Sequence, residues 1–410
     1  MHPCSLLLAL CLLLHTRFVF TRRESDSDDG LKRSSQADLP RLSIRSIDSP
    51  HIRQGSKSPF TRSWSVDAPA SSHLKLEQLV LSLPGRVYVN QTKSLESAKL
   101  QKQSLAHIII QSDSDILSQI DLETLHHHHS GLRLECDLLY NQNITTTILL
   151  HDPSQLVKLA LLAPNEFAVI GQNVLRNNDS IALVTNGGGN LILDIPTTQL
   201  SAQSVTLTSI GRGNLNVRAA SIQTKRITLL TTGNGNITFL THSFVCEQLY
   251  ASSAANGSTQ VKTGKLSISN IEIQSSGAGN INLWAKWSQK CQYESLSITS
   301  SSTIDTASVS CQEGNVIVSG DGVAMINVVD NLRARILNGG KILYVKRPKQ
   351  MEGEATQLQK YEVNTLLGWN LNESVPRRTF RGEWMAVCLI GVVVVMVRYR
   401  KRFIYERIQN

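Results

Sequence analysis

The sequence predicts an all-β chain: a single-stranded right-handed parallel β-helix with an N-terminal β-rich cap and one C-terminal transmembrane helix. Three observations carry that prediction. A Gly-x-Gly-Asn motif recurs at a nearly fixed interval, each copy opens an apolar-x-apolar strand, and an uncharged run near the end meets a basic cluster. Of the 410 residues 41% are hydrophobic, enough for a core, while charged residues are only 18% and aromatics 5%. Those last two values exclude a coiled coil, a disordered acidic chain and a polytopic membrane protein.

The repeat comes first. Gly187-Gly188-Gly189-Asn190, Gly211-Arg212-Gly213-Asn214, Gly233-Asn234-Gly235-Asn236 and Gly277-Ala278-Gly279-Asn280 share one pattern, and their asparagines step by 24, 22 and 44 residues. Weaker copies are expected at Glu313-Gly314-Asn315 and Asn338-Gly339-Gly340. Each Asn precedes a pair such as Leu215/Val217, Ile237/Phe239 or Ile281/Leu283, and a second alternating strand follows, as in Ile227/Leu229 and Ile271/Ile273. A period near 22 fits one coil of short strands around tight glycine turns, with Val, Ile and Leu inward and Ser and Thr facing water. Glycine supplies the positive φ or close approach of each corner, and a corner Asn can stack on the Asn of the next coil.

The flanks have their own signals. Residues 1–21 hold the apolar run Leu6–Leu14, the length of a signal peptide h-region, although no Lys or Arg precedes it. Arginines among serines after it make a mitochondrial presequence the competing reading, against which stand Asp26, Asp28 and Asp29. Residues 22–72 lack an apolar period and read as a disordered linker. Short apolar runs in 73–179 suggest a β-rich leading segment, with a short helix as the alternative over 157–162. The β-helix domain spans 180–345 and a stalk 346–383. Residues 384–397 (WMAVCLIGVVVVMV) form the expected transmembrane helix, short for a bilayer but flanked by Trp384 and by Arg398, Arg400, Lys401 and Arg402. The cytosolic tail is then 398–410. The body is therefore placed outside the plasma membrane or another secretory-pathway membrane, with a soluble organellar protein as the alternative.

Charge distribution excludes a nucleic-acid partner. Residues 17–62 carry ten Lys/Arg against six Asp/Glu and residues 346–410 twelve against six, so a net charge of +9 leaves the body near neutral.

Cys291 and Cys311 lie 20 residues apart, nearly one coil, and are the expected disulfide. Sequons at Asn90, Asn143, Asn178, Asn236, Asn256 and Asn372 permit glycosylation. The run His126–His129 reads as a solvated loop, because alternating strand side chains bring at most two to one metal. No cofactor or metal is expected: the glycine motifs lack the Lys-Ser/Thr of a phosphate loop and the aspartate of calcium repeats. Trp284 and Trp287, with Lys286 and Lys290, could offer an aromatic platform to a ligand, the competing reading being a lateral cover over the stack. Among the acids, Glu272 and Glu294 are 22 residues apart and could align as a catalytic pair.

The Ser/Thr-rich lead followed by Gly-x-Gly-Asn-Ile/Leu resembles the auto-transporter adhesin, head GIN domain family, over about residues 180–345. That resemblance implies a β-helical surface module with no established catalytic site. The expected function is thus a non-catalytic single-pass membrane protein whose extracellular solenoid binds a glycan or cell-surface protein or serves as a rigid spacer. The alternative is a β-helical carbohydrate-active enzyme, a polysaccharide lyase or hydrolase.

Overall fold

The computed structural model of the chain describes residues 41–47, 60–69, 74–92, 104–112, 117–125, 130–136, 144–151, 156–162, 167–177, 179–289, 291–353 and 358–360. They form a β-solenoid of about nine turns, with one 3-10 turn at Leu117–Gln119 and no α-helix among the described residues. The expected signal peptide, transmembrane segment 384–397 and tail lie outside the described residues, as do the histidine run and residues 361–383 of the expected stalk. Gln350–Gly353 and Leu358–Lys360, which the stalk was to contain, are strands paired with Val328–Leu337 and Lys341–Tyr344, so the solenoid runs past the expected end at 345. No helix among the described residues is long and apolar enough to cross a membrane.

One coil shows how the sequence winds. Strand Leu215–Thr231 alternates buried and outward side chains, and pairs in parallel with Asn190–Ser209 before it and Ile237–Ser253 after it. Residues 220 and 225 drop out of both ladders, so the strand bends twice into three short runs, 215–219, 221–224 and 226–231. These stack on their counterparts into three walls, here called faces A, C and B. At the bends a short side chain bridges the corner. Thr241 Oγ1 donates to the Ser243 carbonyl at 2.9 Å, Thr263 to that of Lys265 at 2.8 Å, and Thr224 to that of Arg226 at 2.9 Å. Each bond ties the backbone across its bend and contributes about 1 kcal/mol. Cys246 occupies the equivalent bend position and its thiol contacts the Gln248 carbonyl at 2.9 Å.

The core is a set of inward columns. Leu191, Leu215 and Ile237 stack on face A, and Val205, Ile227, Leu249 and Ile271 on face B, all at 2% exposure or less. Burying each of these stabilises by about 1.5–3 kcal/mol. Ser209, Thr231, Ser253 and Ser275 also point inward and are buried. The expectation that Ser and Thr of the second strand all face water therefore fails at this position. Ser209 and Ser253 donate to the carbonyls of Gly213 and Gly257 at 2.9 and 2.8 Å, which ties the end of face B to the glycine corner.

Toward the C-terminal end the coils shorten. In-register partners lie 22 residues apart at Leu215↔Ile237, 20 at Thr303↔Val323 and 18 at Val323↔Lys341.

The leading segment is part of the solenoid, so the separate cap expected over 73–179 is not supported. Gln78–Ser82 and Arg86–Gln91 form one rung, joined through Gly85 at φ 83°. Gly131–Cys136 and Ile144–Leu150 stack on one side of that rung, and Lys158–Leu161 and Phe167–Ile170 on the other. The chain thus lays its first rung in the middle, adds an outer one, then crosses back to continue. Lys158–Leu161 is a strand, where a short helix was the alternative. On the outermost side, antiparallel Ser104–Ser112, Phe60–Asp67 and Ser43–Ile47 extend face A. Two strands therefore occupy part of the 22–72 segment that composition marks as disordered. Trp64 (5% exposed) and Val66 (0%) anchor them in the core, contributions an averaged composition hides.

Candidate functional site

The third corner, between faces B and A, is where the repeated motif lies. A Cβ on Gly213 would fall 2.0 Å from the Gly189 carbonyl oxygen, and one on Gly235 2.1 Å from that of Gly213. These glycines have no left-handed φ; the requirement is close approach of one coil to the next. Just past them Asn190, Asn214 and Asn236 occupy successive corners, and Asn280 the corner after the next. Asn214 donates its backbone N–H and its Nδ2 to Asn190 Oδ1, both at 3.0 Å, and Asn236 repeats this on Asn214 at 2.9 and 3.2 Å. Ser258 takes the place of the asparagine in the missing copy: its N–H donates to Asn236 Oδ1 at 2.8 Å and its Oγ accepts from Asn280 N at 3.2 Å. Thr303 N ends the ladder on Asn280 Oδ1 at 2.9 Å. This edge is structural, since its polar atoms bond along the stack.

Gly314 and Asn315 do not belong to it. They lie inside strand Cys311–Ser319 on face B, in register with Glu294 and Ser295. The corner at that level is Gly320-Asp321-Gly322, where a Cβ on Gly322 would meet the Ser300 carbonyl oxygen at 2.7 Å. It lacks the Asn by which the motif was recognised, although its Gly-x-Gly spacing was readable. Asn338 and Gly339 do turn the next corner, at φ 61° and 94°.

Cys291 and Cys311 are direct partners on neighbouring strands and form a disulfide, Cα–Cα 4.4 Å. Cys136 and Cys246 are free and buried; burial above all pushes the Cys246 thiol up to about 12. Beside the disulfide the register decides the enzymatic alternative. Glu272 pairs with Ser295 and points outward, while Glu294 pairs with Ile271 and points into the core at 0% exposure. The two carboxylates therefore stand on opposite sides of the wall and form no catalytic pair. Burial pushes Glu294 up to about 8; Thr306 Oγ1 donates to its Oε2 at 3.1 Å, while Oε1 is buried without a partner. Gly314, next in the same column, leaves room for the carboxyl. Other acids sit in scattered ion pairs: Asp194 with Arg218 at 3.4 Å, Asp330 with Lys349 at 2.7 Å and Glu352 with Arg333 at 2.9 Å. Among the described residues no group of three His, Cys, Asp or Glu is placed to hold a metal ion.

The tryptophans flank a bend. Trp284 stands on the outer side of face A in register with Lys262, and Trp287, 66% exposed, stands beyond the bend in register with Lys265. Of the sequons, Asn90 and Asn256 are exposed, and Asn143, Asn178 and Asn372 lie outside the described residues. Asn236 is exposed too, but its Nδ2, the atom a glycan would take, donates into the corner ladder.

Sequence reasoning missed a groove of about 590 Å3 on the outer side of face B. Its first column, in register on four successive coils, is Arg226, Gln248, Asn270 and Tyr293. Two residues further along each strand run Thr228, Tyr250, Glu272 and Ser295. Arg226 Nε donates to Gln248 Oε1 at 3.2 Å and Gln274 Nε2 to Glu272 Oε1 at 2.9 Å. The Tyr250 hydroxyl lies 3.5 Å from Gln274 Oε1, and burial foremost holds its pKa above the usual phenol value, so it stays a neutral donor. The signal was present in the sequence only once the 22-residue register is applied to outward positions.

Fold and site together define a parallel β-solenoid whose outward surface on face B presents hydrogen-bonding side chains. No family model matches the chain, the head GIN domain family included, and no curated protein matches its sequence. Among solved structures it is similar to a "putative adhesin" from Bacteroides fragilis NCTC 9343, at 18% identity over 61% of this chain and 97% of that one, with a TM-score of 0.44. It is also similar to a "putative adhesin" and a "putative lipid binding protein" from Parabacteroides distasonis ATCC 8503. Those two show 11% and 12% identity, over 72% and 74% of this chain and 97% of each, with TM-scores of 0.41 and 0.36. Likeness at this level bears on neither ligand nor activity.

Proposed function

We propose that the solenoid is a non-catalytic binding or spacer module held at the surface of a secretory-pathway membrane by the segment 384–397. The observation that carries the non-catalytic reading is the opposed orientation of Glu272 and Glu294. Glycoside hydrolysis needs two carboxyl groups across one substrate, roughly 5–10 Å apart, and these two acids cannot share one. A rigid stack with outward Ser, Thr, Asn and Gln suits repeated weak contacts with a glycan or protein surface. The motif-level likeness to the head GIN domain family supports the same reading, and the paired cysteines suit an oxidising compartment. The test is full-length protein carrying an epitope after Asn410, expressed in cells. Surface biotin should reach the body on intact cells while the epitope stains only after permeabilisation, and endoglycosidase should increase mobility. Cofractionation with mitochondria and an unshifted band would establish the organellar alternative instead.

A further inference from the structure

We propose that the face B groove is a carbohydrate site that takes an uncharged oligosaccharide running along the solenoid axis. The inference rests on the binding-module reading above and names its ligand class.

Charge is the first argument. Within the groove the guanidinium of Arg226 and the carboxylate of Glu272 are the charged groups, one of each sign, and the remaining outward side chains are amides, hydroxyls and two phenols, with the inward Leu249 and Ile271 forming its floor. A balanced site offers no net attraction to a polyanion or polycation. Its polar groups instead present donors and acceptors side by side. Gln248 and Asn270 each carry both, Glu272 accepts, and Arg226, Thr228 and Ser295 donate. Sugar hydroxyls, each a donor and an acceptor, match such an alternation, whereas an apolar or singly charged ligand leaves half of it unmet.

Aromatic geometry is the second. Tyr250 and Tyr293 lie two coils apart in neighbouring columns, so they bracket the groove diagonally. Tyr293 is 39% exposed, a large ring held open on an otherwise polar wall. The C–H face of a pyranose packs on the negative face of such a ring, and each phenol adds a hydrogen bond at its edge. The Tyr250–Gln274–Glu272 chain of contacts fixes those groups before a ligand arrives, which reduces the ordering cost of binding.

Shape is the third. The groove crosses four coils spaced about 4.8 Å apart, so it is long in the axial direction and repeats its donors at that interval. A linear ligand that itself repeats can use several coils at once.

The test uses full-length protein in detergent on an array of linear neutral di- to hexasaccharides beside sulfated and sialylated ones. Neutral probes should bind, with affinity rising with length and changing little with salt. Tyr293→Ala and Glu272→Gln should each weaken binding about tenfold, as loss of an anchor does, with unchanged thermal midpoints. Tyr250→Phe keeps the ring and should lose less than Tyr250→Ala. Trp287→Ala, outside the groove, should change nothing. Binding confined to acidic probes, or binding insensitive to both tyrosines, would overturn the site. So would absence of neutral-glycan binding by protein whose surface topology is as proposed, a result that leaves the membrane-module reading standing.

Discussion

The coils from Asn190 to Asn280 and those from Cys291 to Gly353 wind the same core with different means. The first set repeats identical solutions: close-packed glycines, an asparagine ladder, inward hydroxyls and threonine-bridged bends. In the second the coils shorten, the ladder ends at Thr303, Ile298 and Val318 replace the inward hydroxyls, and a disulfide joins adjacent strands. Regularity spreads stability over many small contacts. Irregularity concentrates it in one covalent bond, and it tolerates an oddity such as Glu294 in a hydrophobic column.

Substitutions that act on one set and spare the other test this contrast. Gly235→Ala forces a methyl onto a backbone oxygen that cannot yield, and should cost about 3 kcal/mol or more in denaturant unfolding. Gly314→Ala meets a methyl of buried Val328 and the Glu294 stem instead of a backbone oxygen, so its cost should be lower, about 1–2 kcal/mol. Equal effects would erase the distinction between the regions.

Replacing Cys291 and Cys311 with serine should cost about 3 kcal/mol, given the 20-residue separation they close. Hydrogen exchange should rise after Cys291 and stay slow in strands 215–231 and 237–253. A uniform rise would show that the two sets unfold as one unit.

The third prediction concerns pH. Glu294 is neutral in both states well below its unfolded value of 4.5. Above that the unfolded chain loses the proton while the folded one keeps it until about 8, so stability falls as pH climbs through this window. Glu294→Gln removes the effect and should leave the protein about 4 kcal/mol more stable than wild type at pH 8. A parallel pH dependence of both melting curves would contradict a buried carboxyl.

Asn214→Ala removes the acceptor for Asn236 and should cost about 1 kcal/mol, while Asn315→Ala, on a strand instead of a corner, should stay within about 0.5 kcal/mol.

These differences also explain what the sequence could tell. The first set is legible because Gly213, Gly235 and Gly279 are each constrained by a glycine one coil away, so the constraint recurs in print. Where Ser258, Thr303 or Val323 stands in the asparagine column the corner persists and the motif disappears, and Gly314-Asn315, inside a strand, imitates a copy. The inward Ser209 and Thr231 look like surface residues because their hydroxyls are satisfied by corner carbonyls, an accounting that composition does not register. The strand around Trp64 pairs on one side with residues 37 to 52 positions away, and no local period announces that. The groove shares this opacity: Tyr250 and Tyr293 become neighbours only after the coil is wound.

The central claim is the coil register itself, and nitroxide distances measure it most directly. Thr206, Ser295, Asn315 and Arg333 belong to one outward column on face B, at the first, fifth, sixth and seventh levels. Pairs from Thr206 to each of the other three should give about 19, 24 and 29 Å, growing by one 4.8 Å strand spacing per step. Distances that fail to grow in that order, or that exceed these by tens of ångströms, would mean the chain does not wind as a solenoid.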